Sequence, residues 1–291
     1  MAPILVVGAG FMGTGIAQVC AQSGHDVHLM DINARALRNA LGAMETSLQR
    51  LYGKGLLAEL PAAVLARIRP EQSLACAAQV EGVIESVLEI EDLKKEIFRE
   101  LDRLAPRDAF LATNTSSIPV ARLANETRFP ERVLGLHFFG PVPLMGLVEV
   151  IKGAKTTESV FEKGVAFVKS IGKMPVRVRR DIPCFVMNRI FSAAFREAVD
   201  LVDQGVATPE EVDAGMKLGY GWTAGPFEIA DNAGLDTVAL IGRSMKRLGE
   251  DDLCPRSDLI ERMVREGRTG RKAGRGFYRY TAEGKRVAAK Y

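Results

Sequence analysis

Three residues in the middle of the chain have the types and spacing to move a proton. Asn114-Thr115-Ser116-Ser117 is followed by His137-Phe138-Phe139-Gly140-Pro141-Val142-Pro143, and Glu149 lies twelve residues beyond the histidine. An imidazole whose tautomer is held by a carboxylate, with a hydroxyl nearby, can take the proton of an alcohol near neutral pH. A base for an alcohol points to oxidation and reduction. The same residue types also fit a strand-end histidine satisfied by a backbone carbonyl, with a solvated glutamate. The N-terminus decides between the two readings.

Residues 1 to 31 read as apolar strand, glycine turn, amphipathic helix, apolar strand and acid. Ile4-Leu5-Val6-Val7 is the short apolar run of a buried parallel strand, and Gly8-Ala9-Gly10-Phe11-Met12-Gly13 follows at once. Gly8 allows a tight turn, Gly10 lets a backbone amide approach a pyrophosphate, and Gly13 lets the following helix sit close on the sheet. That helix presents its N-terminal dipole, with Phe11 and Met12 in the first turn, to the phosphates. Ile16, Val19 and Cys20 give it one apolar stripe, Gly24 ends it, and Val27-His28-Leu29-Met30 is the second strand. Asp31 stands at the end of that strand, where a carboxylate binds a ribose 2'-hydroxyl and repels a 2'-phosphate. The cofactor expected is NAD rather than NADP.

The elements that must position these groups divide the chain near residue 180. Strands over 82–86, 109–113, 133–139, 147–151 and 174–178 alternate with helical patterns, as in a mostly parallel sheet covered on both faces. Beyond Asp181-Ile182-Pro183 the strands stop. Phe185, Ile190, Ala193, Ala194, Val199 and Val202 recur near helical spacing. Thr208-Pro209-Glu210-Glu211 opens another helix with a threonine cap and a proline in the first turn. Apolar stripes around 227–230 and 238–245 complete an all-helical C-terminal third. The fold class is therefore α/β: a Rossmann-type doubly wound sheet over residues 1–181, then a helical substrate and dimerisation domain over 182–291. Ligands of open α/β sheets lie beyond the carboxyl ends of the strands. Ser116, His137 and Glu149 can converge there.

Composition agrees. The 291 residues are 47% hydrophobic and 26% charged, enough for one large core or two modest ones. A net charge of +3, with no basic run interleaved with aromatics, argues against nucleic acid. No apolar run is long enough to span a membrane, and the first one lacks the basic region and cleavage site of a secretory signal. Cys20, Cys76, Cys184 and Cys254 show no metal-ligand spacing and read as reduced, packed thiols of a cytoplasmic protein. No metal is expected.

Taken together, these residues resemble the L-3-hydroxyacyl-CoA dehydrogenase family, including its short 3-hydroxybutyryl-CoA dehydrogenases. The likeness covers essentially the whole chain. It rests on Gly8 to Asp31, Asn114 to Ser117, His137 to Glu149, Phe185-Val186-Met187-Asn188-Arg189, Gly225-Pro226-Phe227-Glu228, Gly234-Leu235-Asp236-Thr237 and Gly274-Arg275-Gly276-Phe277-Tyr278. The resemblance implies NAD-dependent oxidation of a 3-hydroxyacyl thioester of fatty acid metabolism, or the reverse reduction, by a homodimer. It makes His137 the general base, Glu149 its partner, Ser116 a hydrogen-bond donor to the reacting oxygen, and Asn188 the contribution of the helical domain. It places Glu89, Lys94 and Lys272 near the cofactor, and Ser47 and Lys54 at coenzyme A. The spacing of seven puts Ser47 and Lys54 on one helix face.

Two positions depart from the family pattern. Gly140 stands where asparagine is usual, and Gly146 where lysine is common. The missing amide at 140 removes a hydrogen bond of about 0.5 to 1.5 kcal/mol and suggests room for a larger or substituted acyl group. One alternative is therefore the same chemistry on a substituted acyl group held by an acyl carrier protein, as in polyketide precursor supply. A non-thioester hydroxyacid dehydrogenase of related fold would carry a lysine on the interdomain helix, where Asn188 stands. A non-catalytic, crystallin-like binding or structural protein would need none of Ser116, His137, Glu149 and Asn188.

Overall fold

The computed structural model describes residues 3–287, and the chain forms two compact units that part between Phe185 and Val186. The first begins with β1 (Ile4–Val7), α1 (Phe11–Gln22), β2 (Val27–Met30), α2 (Ala34–Gly53), α3 (Pro61–Leu65) and β3 (Ile68–Glu71). It continues through β4 (Gly82–Glu85), α4 (Glu91–Leu104), β5 (Phe110–Thr113), α5 (Val120–Ala124) and β6 (Val133–Phe138). β7 (Leu147–Ile151), α6 (Glu158–Ser170) and β8 (Met174–Val178) complete it.

The eight strands lie in the order β3-β2-β1-β4-β5-β6-β7-β8. All neighbours are parallel except β6 and β7, which run antiparallel. Every residue of β1, β4, β5 and β6 is buried, because helices cover both faces of the sheet. Helix α2 buries Leu37, Ala40, Met44 and Leu48, one stripe at helical spacing, and these join Ile4, Val6, Ile16 and Leu29 in the core. The chain leaves β1 toward β2 on one side and returns to β4 on the other. A crevice therefore opens at the carboxyl end of β1, where such sheets bind ligands.

Strand β3 carries no clear sequence signal. Ile68-Arg69-Pro70-Glu71 contains a proline and exposes its middle, which suits an edge strand with one neighbour, β2.

The second unit contains α7 (Met187–Asp203), α8 (Pro209–Tyr220), α9 (Pro226–Ala233), α10 (Leu235–Arg247) and α11 (Leu259–Arg265). Phe195, Val199, Phe227, Leu235, Ile260 and Met263 fill its core. The expected start of α8 is present as a capping box: Thr208 Oγ1 accepts from Glu211 N–H while the Glu211 carboxylate accepts from Thr208 N–H. The unit is not purely helical. Isolated bridges pair Gly270 with Arg275, Arg275 with Arg279, and Tyr280 with Arg286.

Two buried aspartates explain the glycine motifs of this unit. Asp213 accepts from the amides of Phe227 and Glu228 and from the Tyr278 hydroxyl. Asp231 accepts from the amides of Phe277 and Tyr278 and from the Tyr280 hydroxyl. A Cβ at Gly225 would sit 2.3 Å from Asp213 Oδ1, and one at Gly276 would sit 2.0 Å from Asp231 Oδ1. Both glycines are there so that backbone amides can reach a carboxylate. Their role is architectural.

Candidate active site

The twelve-residue offset between His137 and Glu149 is a strand register. β6 and β7 pair antiparallel with His137 directly opposite Glu149, so both side chains leave the sheet on the same face. His137 Nδ1 lies 2.7 Å from Glu149 Oε2, with the imidazole and the carboxylate both buried. A carboxylate only accepts, so Nδ1 carries the hydrogen and Nε2 is left with its lone pair. Ser116 Oγ sits 3.1 Å from that nitrogen and donates to it. The three residues form one chain of hydrogen bonds, from the carboxylate through the ring to a hydroxyl on the crevice side.

The ring is also held by carbon. Phe139 packs at 4.6 Å and Phe185 at 5.5 Å between ring centroids. Phe185 and Cys184 are non-glycine residues in the left-handed region, at φ 54° and 61°, a conformation that costs energy and clusters at functional sites. Phe185 is buried and is the last residue of the first compact unit, four residues beyond the expected 181/182 division.

Asn114 ties three strand ends together, donating from Nδ2 to Ser86 Oγ and accepting the Phe138 N–H at Oδ1. This bridging role has no signature in a single sequence. The same is true of Glu85, the last residue of β4, whose side chain is fully buried. Its Oε1 accepts from Lys94 Nζ at 2.6 Å and from the Val87 amide, and its Oε2 accepts from the Thr113 hydroxyl. Lys94 is therefore no solvated helix lysine. It is 1% exposed and also faces Glu89 Oε2 at 3.3 Å. The one available signal is an acid ending an apolar strand, with a lysine nine residues on.

The glycine loop fits a dinucleotide. Gly8 has φ 104°, and a Cβ at Gly13 would lie 1.8 Å from Gly8 O, so the turn closes only with glycine at both positions. A Cβ at Gly10 would meet nothing within 4 Å. That glycine faces open space, as a backbone meeting a bulky group requires. Helix α1 has no side-chain cap, so the amides of its first turn, Phe11, Met12 and Gly13, are the donors a helix leaves for an anion. Asp31 is anchored beside them. Its Oδ2 accepts the Ala9 amide and its Oδ1 the Asn33 amide, both at 2.9 Å.

The region around Gly140 differs from expectation. A Cβ there would lie 2.8 Å from Phe11 Cε1 and 3.3 Å from Met12 Sδ. The edge of the exposed Phe11 ring lies where a side chain at 140 would begin, so the space beside this glycine is already partly filled from α1. At Gly146 no such neighbour lies within 4 Å. The loop between β6 and β7 is fixed on α1, since a Cβ at Gly15 would touch Val142, and Lys173 Nζ donates to the carbonyls of Val142 and Met145.

The remaining expected residues fall elsewhere. Ser47 is half-buried on α2, and Lys54 is the exposed C-cap that closes the same helix. Asn188 is the second residue of α7 in the second unit, half-buried. It lines a shallow apolar groove of that unit with Phe191, Phe195, Val238 and Met245. Lys272, also in the second unit, is exposed and pairs with Asp236 at 2.6 Å. Among the described residues, no cluster of three or more His, Cys, Asp or Glu side chains could hold a metal ion.

Comparison with known proteins matches both units. Residues 3–182 match the model of the 3-hydroxyacyl-CoA dehydrogenase NAD binding domain, and residues 185–280 that of the 3-hydroxyacyl-CoA dehydrogenase C-terminal domain. A probable 3-hydroxybutyryl-CoA dehydrogenase of Deinococcus radiodurans is 42% identical over 94% of this chain and 99% of its own. The human mitochondrial hydroxyacyl-coenzyme A dehydrogenase is 38% identical over 95% of this chain and 90% of its own. The crystal structure of an (S)-3-hydroxybutyryl-CoA dehydrogenase from Ralstonia eutropha superposes with a TM-score of 0.90 at 39% identity, covering 96% of this chain and 99% of that one.

Proposed function

The chain belongs to the 3-hydroxyacyl-CoA dehydrogenase family, and on that premise we propose that it interconverts a short 3-hydroxyacyl-CoA and its 3-oxoacyl-CoA, with NAD as cofactor. The observation that carries the reading is the buried relay from Glu149 through His137 to Ser116.

In the oxidation, His137 Nε2 takes the proton of the substrate's 3-hydroxyl. The nicotinamide of NAD, when bound, supplies the acceptor for the hydride leaving C3. Glu149 keeps the Nδ1–H tautomer beforehand and faces the imidazolium with a carboxylate afterwards, so the base is aimed and its charged form has a partner. When substrate binds, the Ser116 hydroxyl turns its one hydrogen from Nε2 to the substrate oxygen, which frees the Nε2 lone pair and helps to fix that oxygen beside it. In the reduction the charged imidazole returns the proton. The amides of Phe11, Met12 and Gly13 hold the pyrophosphate, and Asp31 selects a free ribose 2'-hydroxyl. The roles of Asn188 toward the substrate, of Ser47 and Lys54 toward coenzyme A, and of Lys272 toward the cofactor rest on the family likeness.

The family and the names of the relatives favour coenzyme A over a carrier protein as the thioester's carrier. A homodimer through the second unit is supported by the exposed Ile190, Leu218, Tyr220 and Leu240 on its helices. Four thiols without disulfides agree with a reducing compartment such as the cytoplasm. Among the described residues, no helix is long and apolar enough to cross a membrane.

The test is to follow NADH absorbance with acetoacetyl groups and longer 3-oxoacyl groups, each on coenzyme A and on a carrier protein. Turnover with the coenzyme A thioesters is expected. Turnover confined to the carrier-protein series would overturn the assignment of the carrier, and no turnover with any thioester would overturn the function.

A further inference from the structure

The loop that carries Ser116 is held by one carboxylate oxygen. Glu89 Oε1 accepts from the Thr115 hydroxyl at 2.5 Å, the Ser116 amide at 3.1 Å, the Ser117 amide at 3.2 Å and the Ser117 hydroxyl at 3.1 Å. Its other oxygen faces the Lys94 ammonium at 3.3 Å. Lys94 is in turn fixed at 2.6 Å by the buried Glu85, and Glu85 by the Thr113 hydroxyl. Thr113 Oγ1 also accepts the Thr115 amide, which closes the network back on the same loop.

A neutral turn needs no ion to hold its shape, since serine and threonine hydroxyls cap their own loops. Here a lone ammonium is shared between two carboxylates, and the residual negative charge lies under four converging donors. Charge-assisted hydrogen bonds of that kind are about twice as strong as neutral ones, so the backbone on both sides of the Ser116 Cα is clamped. The Ser116 side chain has one free torsion left, and it places Oγ at 3.1 Å from His137 Nε2.

We propose that Glu89 is a positioning residue of the reaction: through the amide of Ser116 and the hydroxyls on either side it sets the serine hydroxyl against the His137 imidazole, with Lys94 and Glu85 as its buried counterweight. The proposal rests on the dehydrogenase reading given above and deepens it. Burial pushes the Glu89 carboxyl up, but the Lys94 charge and the bonds from Thr115, Ser116 and Ser117 outweigh it and hold the group below the usual glutamate range. The clamp therefore stays charged wherever the enzyme works.

The experiment is a double-mutant cycle of Glu89→Gln with Ser116→Ala on the full chain, assayed with NADH and acetoacetyl-CoA. Glu89→Gln keeps the size of the side chain and removes its charge. A misplacement of about 1 Å at a catalytic group costs of the order of 10²-fold, so kcat should fall on that scale while KM for NADH stays within about twofold. In the Ser116→Ala background the same change should cost little, because there is no hydroxyl left to position. A readout independent of turnover is the ring-nitrogen NMR signal of His137, one of only three histidines; Glu89→Gln should shift it in the direction that Ser116→Ala does. Should Glu89→Gln fail to fold, Glu89→Asp keeps the charge beside Lys94 but draws the oxygen back from the loop, and it should give the same non-additivity. Additive losses, an unmoved His137 signal, or an effect confined to KM for NADH would overturn the proposal and leave Glu89 a cofactor contact. Wild-type protein that turns over no thioester would overturn the dehydrogenase reading, and the positioning role with it; an active wild type with an unaffected Glu89→Gln overturns the positioning role alone.

Discussion

Replacing Gly140 by asparagine puts a Cβ 2.8 Å from Phe11 Cε1, 3.3 Å from Met12 Sδ and 3.6 Å from Phe11 Cζ. Carbon atoms in contact sit about 3.5 to 4.0 Å apart, so the Phe11 ring must move by roughly 0.7 Å or turn away. Forcing extra atoms into a closed core costs about 1 to 3 kcal/mol, but Phe11 is 72% exposed and its ring can swing into solvent. The expected loss of stability is at or below about 1 kcal/mol, a Tm shift of no more than about 4 °C in a chain of this size. The functional effect should be larger than the structural one. Phe11 is the first residue of α1 and one of the amides offered to the pyrophosphate, so a ring driven outward disturbs the mouth of the cofactor site. A displacement worth about 1 kcal/mol lowers kcat/KM for NADH roughly fivefold, and by the same factor for acetoacetyl-CoA and for a longer 3-oxoacyl-CoA. Phe11→Ala removes the obstacle, so the double variant Phe11→Ala with Gly140→Asn should recover most of that loss relative to Phe11→Ala alone. Steady-state kinetics on the four proteins measure the coupling. Strict additivity would refute the steric reasoning, and a fall that differs between the two acyl groups would return Gly140 to the role of a substrate-specificity device.

Other expectations follow from the same geometry. His137→Ala should lower turnover by about two to four orders of magnitude with NADH affinity nearly unchanged, because proton transfer is lost while the glycine loop is untouched; near-normal turnover would remove the histidine from the mechanism. Asp31 follows β2 directly and is anchored to the Ala9 and Asn33 amides beside the glycine loop, so NADPH should be a poor substitute for NADH, and equal catalytic efficiencies would refute the assignment. Asp102 and Arg132 form a buried pair at 2.9 Å, each 3% exposed, and Asp102→Ala should cost about 3 to 5 kcal/mol in urea unfolding because it strands a buried guanidinium. Burial pushes the Asp102 carboxyl up, but the bonds from Arg128 and Arg132 and the Arg132 charge hold it below the usual range. Its folded pKa is depressed, so its contribution is complete above the unfolded aspartate range near about pH 4 and is lost as pH falls through the lower folded value. Unfolding midpoints between neutral and acid pH should show that loss in the parent and a flatter profile in Asp102→Ala.

Local signals were legible in the chain wherever the backbone itself imposes them. The glycines of the Gly8 to Gly13 loop are dictated by φ and by the absence of a Cβ, Asp31 by its place at a strand end, and the start of α8 by Thr208 and Glu211 completing a box within four residues. His137 and Glu149 were readable as a pair because the hairpin that joins β6 to β7 converts a short sequence offset into a direct cross-strand contact. Pairings between distant segments were not readable. Nothing in Lys94 itself distinguishes it from a solvated helix lysine. Its burial depends on Glu85 at the end of β4 and on Glu89, which the pairing of β4 with β5 brings beside the Ser116 loop. The crowding at Gly140 has no sequence signal, because it is the β6–β7 loop lying on α1 that brings Phe11 beside it. Strand β3 is extended only because β2 offers an edge to pair with. A sequence specifies what each residue can do within a few positions of itself; which charge is buried, and which side chain fills a given volume, is decided by segments that meet only when the sheet has closed.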